Sequence, residues 1–427
     1  MKKISILLLW LVAAVATSAQ TKIVVLSDTH VMSPDLLVSD GPAWQHHLER
    51  DRKMLDKSRE LFDAMIERLK TELKPQLVLI TGDLTKDGEL SSHEYVARRL
   101  DELQAAGIHT LVIPGNHDLG TRNAVSYDGE ATHKVETPTK EMFAKLYKLH
   151  GYGTNSDREQ STLTYAIEPI QGLVVIGIDS GEKGRLSTTT LNWVCDKAQS
   201  ARTAGKQVIA MMHHPLFPHF HGVDKFVGTA VISNYEQVRN RLADAGIGLI
   251  FTGHFHTSDI AKSFNADLTK TIYDVNTGSL ISYPCDYREM MASPDLHTFS
   301  ITTGHISALP DDAQFSNTSK TRLAASFKRL IENMDGPLSL LADDAANCFL
   351  VHAEGNEHQS PKGRQLLNKL EGILKEANEL VNMMPQLKSK IADAEKMAYS
   401  ILKDISEYGI PERENQTDDL TLTIEFP

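Results

Sequence analysis

From Lys22 to about Thr257, short apolar runs rich in β-branched residues alternate with longer stretches in which Leu, Met, Phe and Ala recur every three or four positions. The short runs predict strands and the longer stretches amphipathic helices, and their alternation is the pattern of βαβ units around a parallel sheet. The expected strands are Lys22–Ser27, Gln76–Thr81, His109–Pro114, Leu173–Asp179, Gln207–Met212 and Gly248–Thr252, with Thr271–Thr277 and His297–Thr303 further on. Most are apolar at nearly every position, as strands covered on both faces are. The expected helices are Arg52–Leu73, Ser91–Ala106, Thr139–Leu149, Thr188–Ala204 and Tyr235–Ala245. The acidic turn Glu89–Glu94 and Gly107 mark the two ends of the second of these.

After about Pro310 the texture becomes Lys, Glu, Leu and Ala with few β-branched runs. Helices are expected over Arg364–Met384 and Gln386–Tyr408, with Pro361 opening the first, Pro385 dividing the two, and Leu366, Leu370, Ile373, Leu374, Leu380, Leu387, Ile391 and Ile401 as the apolar stripe. Residues 311–427 are thus expected to form a C-terminal α-helical domain, either a packing appendage or an element with a regulatory or substrate-shaping role. Glu412–Asp419 is polar and expected to be loose, ahead of a short apolar alternation at Leu420–Phe426.

The first residues have another character. Lys2 and Lys3 precede an apolar run from Ile4 to Ala16, and Thr17-Ser18-Ala19 offers a cleavage site before Gln20, so residues 1–19 are expected to be a signal peptide and the protein secreted or periplasmic. The run is shorter than the ~20 residues a spanning helix needs, and stable membrane insertion is not expected. The catalytic unit is then residues 20–310. The formal charge is −12, and two units more negative without Lys2 and Lys3. Such a body repels polyanions, which disfavours a nucleic-acid polymer as partner, although a locally positive site can still capture one phosphate. Cys195, Cys285 and Cys348 are too few and scattered for a disulfide framework or a thiolate metal site.

Five of the expected strands run directly into Asp, Asn or His. They lead to Asp28-Thr29-His30, Gly82-Asp83, Gly115-Asn116-His117-Asp118, His213-His214-Pro215 and Gly253-His254-Phe255-His256. In an α/β sheet ligands bind beyond the carboxyl ends of the strands, so residues far apart in the chain can converge there. Imidazole, carboxylate and amide oxygen without thiolate suit divalent Mn, Fe or Zn, and seven such donors are too many for one tetrahedral ion. Two ions sharing a carboxylate account for them. Asp28 and His30, and likewise His254 and His256, leave the same face if the backbone is extended. Gly82, Gly115 and Gly253 permit tight turns just before a donor.

This ordered set resembles the calcineurin-like metallophosphoesterase superfamily, and within it the class III cyclic-nucleotide phosphodiesterases and their secreted relatives with a C-terminal helical domain. The resemblance implies an α/β fold built as a four-layer β-sandwich flanked by helices, which the strand pattern alone does not distinguish from a doubly wound sheet. It also implies two divalent metal ions. One is held by Asp28, His30, Asp83 and His256, the other by Asp83, Asn116, His213 and His254, with Asp83 bridging. By the same resemblance His117 is the non-ligand imidazole near the leaving oxygen, and Asp118 either orients it or is a turn residue. Purple acid phosphatases place a tyrosine ligand three residues after the bridging aspartate, where this chain has Lys86, so an iron-tyrosinate site is not expected.

The activity implied is hydrolysis of small phosphoesters by a metal-bridging hydroxide, with diesters such as cyclic nucleotides preferred on resemblance and monoesters as the alternative. A metal-stabilised binding protein is the reading from another class. His214, His219 and His221 follow the fourth motif and are either substrate-lining or ordinary loop histidines. The same two readings apply to Arg122, Tyr127, Asn234 and Tyr235. The oligomeric state is not legible.

Overall fold

The computed structural model describes residues 20–219, 230–332, 342–355 and 418–426, with isolated positions between 361 and 375. The leader, His221 and nearly all of Arg364–Met384 and Gln386–Tyr408 lie outside the described residues.

Two mixed sheets carry the fold. The first joins β1 (Thr21–Leu26), β2 (Leu77–Ile80) and β3 (His109–Val112) in parallel, then β13 (Asp286–Ala292), β14 (Thr298–His305) and β15 (Thr421–Glu425) antiparallel on the far side of β1. The second has a parallel centre of β8 (Leu173–Ile178), β9 (Gln207–Met212), β10 (Leu249–Thr252) and β12 (Thr271–Asn276). Antiparallel β7 (Tyr165–Ile170) and β11 (Asp259–Phe264) flank it, β6 (Asp157–Arg158) extends it beyond β7, and β4 (Val125–Tyr127) and β5 (Thr132–Lys134) pair separately.

Period-two alternation assigns each face of the second sheet its own neighbours. Leu173, Val175, Ile209, Met211, Leu249 and Phe251 point into a core shared with Ile23, Val25, Leu77 and Leu79 of the first sheet. Val174, Ile176, Val208, Ala210 and Ile250 point the other way, against Leu191, Val194, Val238 and Leu242 of helices Thr188–Thr203 and Tyr235–Asp244. With helices Ser58–Arg68 and Leu90–Ala105 over the first sheet, the architecture is four layers, helix on sheet on sheet on helix.

Several expectations change. The helix expected from Arg52 begins at Ser58, and a separate helix Pro42–Arg50 precedes it. The signal was Gly41-Pro42, which sets the N-cap and the first helical position. Residues 51–57 are consequently a loop with one 3₁₀ turn, placed against the active-site side of the sheets. The strands β7, β11 and β13 lack continuous apolar runs, because each has a polar, partly exposed side, and the periodicity passed over them.

The chain end is also not helical throughout. Thr421–Glu425 returns to the first sheet as its outer strand, with Leu422 and Ile424 buried and the residues between them exposed. Buried Arg288 secures this return by donating to the Asp419 carbonyl at 2.7 Å. Cys195 and Cys285 are buried free thiols. Among the described residues no helix is long and apolar enough to cross a membrane.

Candidate metal centre

β1, β2 and β3 of one sheet and β9 and β10 of the other end on the same side of the sandwich, and the five motifs lie at those ends. Asp28, His30, Asp83 and His256 each place a donor atom within 4.8 Å of the others, and Asp83, His213 and His254 form a second such group. Asp83 Oδ2 belongs to both neighbourhoods, 3.6 Å from His30 Nε2 and 3.4 Å from His213 Nε2. Asn116 Oδ1 joins the second group, 2.9 Å from His213 Nε2.

The backbone that delivers these side chains is not extended. Asp28, His30, Asp83, His254 and His256 all have positive φ, between 38° and 71°. The expectation that i and i+2 share a strand face therefore fails. These five donors are presented from left-handed turns just past their strands, a conformation that costs roughly 1–3 kcal/mol per non-glycine residue and persists only where the surroundings enforce it. The glycines make room for the crowding. A Cβ on Gly253 would meet Ser27 Oγ and lie 2.6 Å from Asp28 Oδ2, and one on Gly115 would lie 2.8 Å from Asp83 Cγ.

The donor atoms also lack protein donors to satisfy them. Asp28 Oδ2 accepts from the His254 N–H at 2.9 Å and from Ser27 Oγ at 2.5 Å, which leaves Oδ1 buried without a hydrogen bond. Asp83 Oδ1 accepts from the His117 N–H at 2.8 Å, and Oδ2 is turned to the imidazoles. His213 Nδ1 faces the Thr81 carbonyl at 2.9 Å, which calls for the proton on that nitrogen and leaves Nε2 as a lone pair opposite Asn116 Oδ1. His30 Nε2 and His256 Nε2 face each other at 3.2 Å. Lone pairs aimed at one another in a largely buried site fit cations between them, and the set of O and N donors fits divalent first-row metals.

Electrostatics show the same tension. Burial pushes Asp83 up, yet the charges of His213 and His117 hold it well below the usual carboxylate range. Burial would depress His213, but the Asp83 carboxylate raises it to about 9. Burial and then the charge of His213 push His254 down to about 4. At His30 burial is followed by the positive charge of Lys53, which lowers it further.

His117 stands beside this cluster, its ring 4.9 Å from that of His30. Its Nδ1 contacts the Lys86 carbonyl at 2.9 Å and Asp87 Oδ1 at 2.8 Å, which leaves Nε2 for the cavity. Asp118 is not its partner. Fully buried, Asp118 accepts from the N–H groups of Leu84, Thr85 and Gly115, and so knits the second motif to the third. Asp87 takes the orienting place. Burial would raise its carboxyl, but the bond from His117 and the charge of Lys86 hold it at about 2. Lys86 is itself buried and paired with Asp87 and Glu89. Asp87 was missed because a loop acid next to Lys86 carries no mark of its contact with an imidazole thirty residues on; a second acid four residues after Asp83, in a loop ending Asp87-Gly88, was the available signal.

Four of the remaining candidates are tied into packing and do not line the cavity described below. His214 is buried, with Nδ1 2.8 Å from Ser180 Oγ and its ring packed behind His254. His219 is buried between Asp274 and Asp259, at 3.0 and 3.3 Å, and faces the core. Tyr127 is buried on Trp44, and Asn234 brackets the backbone of Leu186.

A cavity of ≈ 530 Å³ opens over Asp83, His117, His254 and His256, and continues to Lys53, Tyr283, Phe327 and Phe349. The model of the calcineurin-like phosphoesterase family matches residues 21–258, more than half of the chain and all five motifs. The chain belongs to this family. Among curated relatives, it is 28% identical over 205 residues to a 3′,5′-cyclic-nucleotide phosphodiesterase of Nostoc sp., covering 46% of this chain and 62% of that protein. It is 27% identical over 228 residues to a probable glycerophosphodiester phosphodiesterase of Arcobacter nitrofigilis, covering 52% of this chain and 65% of that one. The chain thus spans less than two thirds of the length of either relative. A dimetal phosphatase of Danio rerio superposes with a TM-score of 0.44 at 12% identity, over 67% of this chain and 96% of that one.

Proposed function

We propose that this calcineurin-like protein hydrolyses small phosphodiesters at a pair of divalent cations, Mn, Fe or Zn. The observation that carries the reading is Asp83 Oδ2, set between two groups of donors at the base of a cavity with His117 on its wall. Asp28, His30 and His256 would hold one cation, Asn116, His213 and His254 the other, and Asp83 both. When bound, the cation pair supplies Lewis acidity toward water and the phosphoryl oxygens.

The chain's own residues supply the rest. Asp87 fixes the His117 ring, and the Asp83 and Asp87 charges overcome burial and raise its pKa. His117 then holds a proton at Nε2 for the departing oxygen. Asp118 locks the turns that present Asp83 and Asn116. Closely spaced oxygen and nitrogen donors serve monoesters and diesters alike, so the preference for diesters rests on the two named relatives. Bis(p-nitrophenyl) phosphate and p-nitrophenyl phosphate, compared on the manganese-loaded protein, test it. Faster turnover of the diester is expected; activity confined to the monoester rejects the diesterase reading, and silence on both rejects hydrolysis.

A further inference from the structure

The cavity over the metal centre has a second wall, and part of it comes from beyond the family match at residue 258. Helices Phe315–Glu332 and Ala342–Glu354 pack against each other, and from them Phe327 and Phe349 stack with ring centroids 3.9 Å and planes 5° apart. Both rings line the cavity. The pair is fixed to the core rather than laid against it loosely. Tyr283 Oη donates to Glu354 Oε1 at 2.8 Å, Arg322 pairs with Asp56 at 2.7 Å, and Tyr283 packs with Leu323, Leu350 and Ala353.

The loop between helices Pro42–Arg50 and Ser58–Arg68 completes the wall. Arg52 holds its guanidinium 5.4 Å from the Phe327 ring centroid. Lys53 lines the same cavity as the rings and the metal-centre residues, and its charge reaches both His30 and His117. Its counter-charge is weak, since among the described residues the nearest carboxylate oxygen, Asp51 Oδ2, is 4.0 Å away. In a chain of formal charge −12, Arg50, Arg52 and Lys53 make a local basic rim.

A polyol or alkyl group gains little from such a wall, whereas a planar π system gains stacking and the proximity of cations. We propose that Phe327, Phe349 and Lys53 form a specificity subsite. Lys53 meets the phosphoryl end, and the aromatic pair selects phosphoesters whose organic substituent is planar over those whose substituent is a small polyol or alkyl group. The inference rests on the phosphoesterase reading of the metal centre and adds to it the residues that choose the substituent.

Adenosine 5′-monophosphate and ribose 5-phosphate differ only in the base, so their dissociation constants, measured by calorimetric titration of the manganese-loaded full chain, isolate the aromatic wall. The nucleotide is expected to bind about tenfold tighter, in line with alanine-scan values for a stacked base. Phe327→Leu and Phe349→Leu keep apolar volume but remove the ring. Each is expected to bring the nucleotide toward the affinity of ribose 5-phosphate while leaving the latter unchanged. Lys53→Met is expected to weaken both ligands by a similar factor. Equal binding of the two by the native protein overturns the subsite, as does a preference that survives both leucine variants, or a parallel loss of both ligands in them. Binding of neither by protein whose manganese is verified by elemental analysis overturns the phosphoesterase reading itself, a result distinct from equal binding of both.

Discussion

The two walls of the cavity are built by opposite means. Five of the seven donors of the metal wall sit in left-handed backbone, crowded so closely that Gly115 and Gly253 have no space for a Cβ. The aromatic wall is made of side chains on two regular helices, held by ordinary packing and a few surface ion pairs. Strain of this kind is kept where atoms must sit within tenths of an ångström, as cation ligands must, whereas selection of a substituent tolerates more give. The comparison predicts that single changes on the metal wall abolish function and that changes on the aromatic wall only redistribute it.

The largest effect is expected at Asp83, which serves both donor groups. Asp83→Asn removes one carboxylate charge from the centre of the cluster and should lower metal content and turnover by more than the roughly 10–100-fold that changes in outer-sphere partners produce. Elemental analysis alongside turnover measures both. Retained metal with full activity breaks the division between the walls. Next come His117 and Asp87. His117→Ala should keep its metal and lose turnover by about 10²–10⁴-fold, the usual contribution of a positioned acid. Asp87→Asn should lose less, because the Lys86 carbonyl still contacts Nδ1. An Asp118→Asn variant tells the two acids apart: it should reduce stability and metal retention, since Asp118 accepts three backbone N–H groups and does not touch the His117 ring.

Behind the metal wall, His219 tests how far rigidity extends. Burial opposes its protonation, but Asp274 and Asp259 raise it to about 9. The folded value lies above the ~6.5 of an unfolded chain, so the stabilisation is complete below that pH and is lost as pH rises through about 9. Chemical denaturation should show native stability falling between pH 7 and 9.5 by up to about 2–3 kcal/mol. His219→Asn should be less stable at pH 7 and have a flatter slope. Comparing the two proteins cancels the titration of the metal site, which they share, and parallel slopes would remove His219 from this role.

The same contrast explains what was legible in the sequence. Metal donors are chemically rare types at strand ends, so Asp28, Asp83, Asn116, His213 and His256 stand out against the apolar runs that precede them. The conformation that presents them did not stand out, because an Asp or His at positive φ carries no sequence mark beyond its neighbouring glycine. Asp87 and Asp118 are the same residue type in adjacent loops, and only three-dimensional contact assigns one to the imidazole and the other to the backbone. The aromatic wall was invisible for a different reason. Phe327 and Phe349 lie on helices ahead of the two expected in the C-terminal part, where nothing set them apart from ordinary apolar positions, and Lys53 was absorbed into a helix that starts five residues later. β15 was seen as an apolar alternation, but its partner β14 lies more than a hundred residues earlier, and long-range pairing leaves no local signal.

The smallest expected effect is at the hinge between the walls. Tyr283 sits next to the turn that positions Ser282 3.5 Å from His256 Nδ1, and its hydroxyl reaches across to Glu354 on the helix pair. Tyr283→Phe keeps the ring that packs on Leu323 and Leu350 and removes only that hydroxyl. The loss should be about 1 kcal/mol, the net worth of one hydrogen bond with a charged partner set in part against solvent. Because Arg322 still pairs with Asp56 and the ring still packs on Leu323 and Leu350, the helices should remain docked. If the walls are independent, metal content and turnover of a compact substrate stay at the native level, and only the preference for planar substituents softens, by severalfold at most. A matching fall in manganese affinity would mean that the helix pair braces His256 through Ser282 and Tyr283, and the two walls would then have to be treated as one.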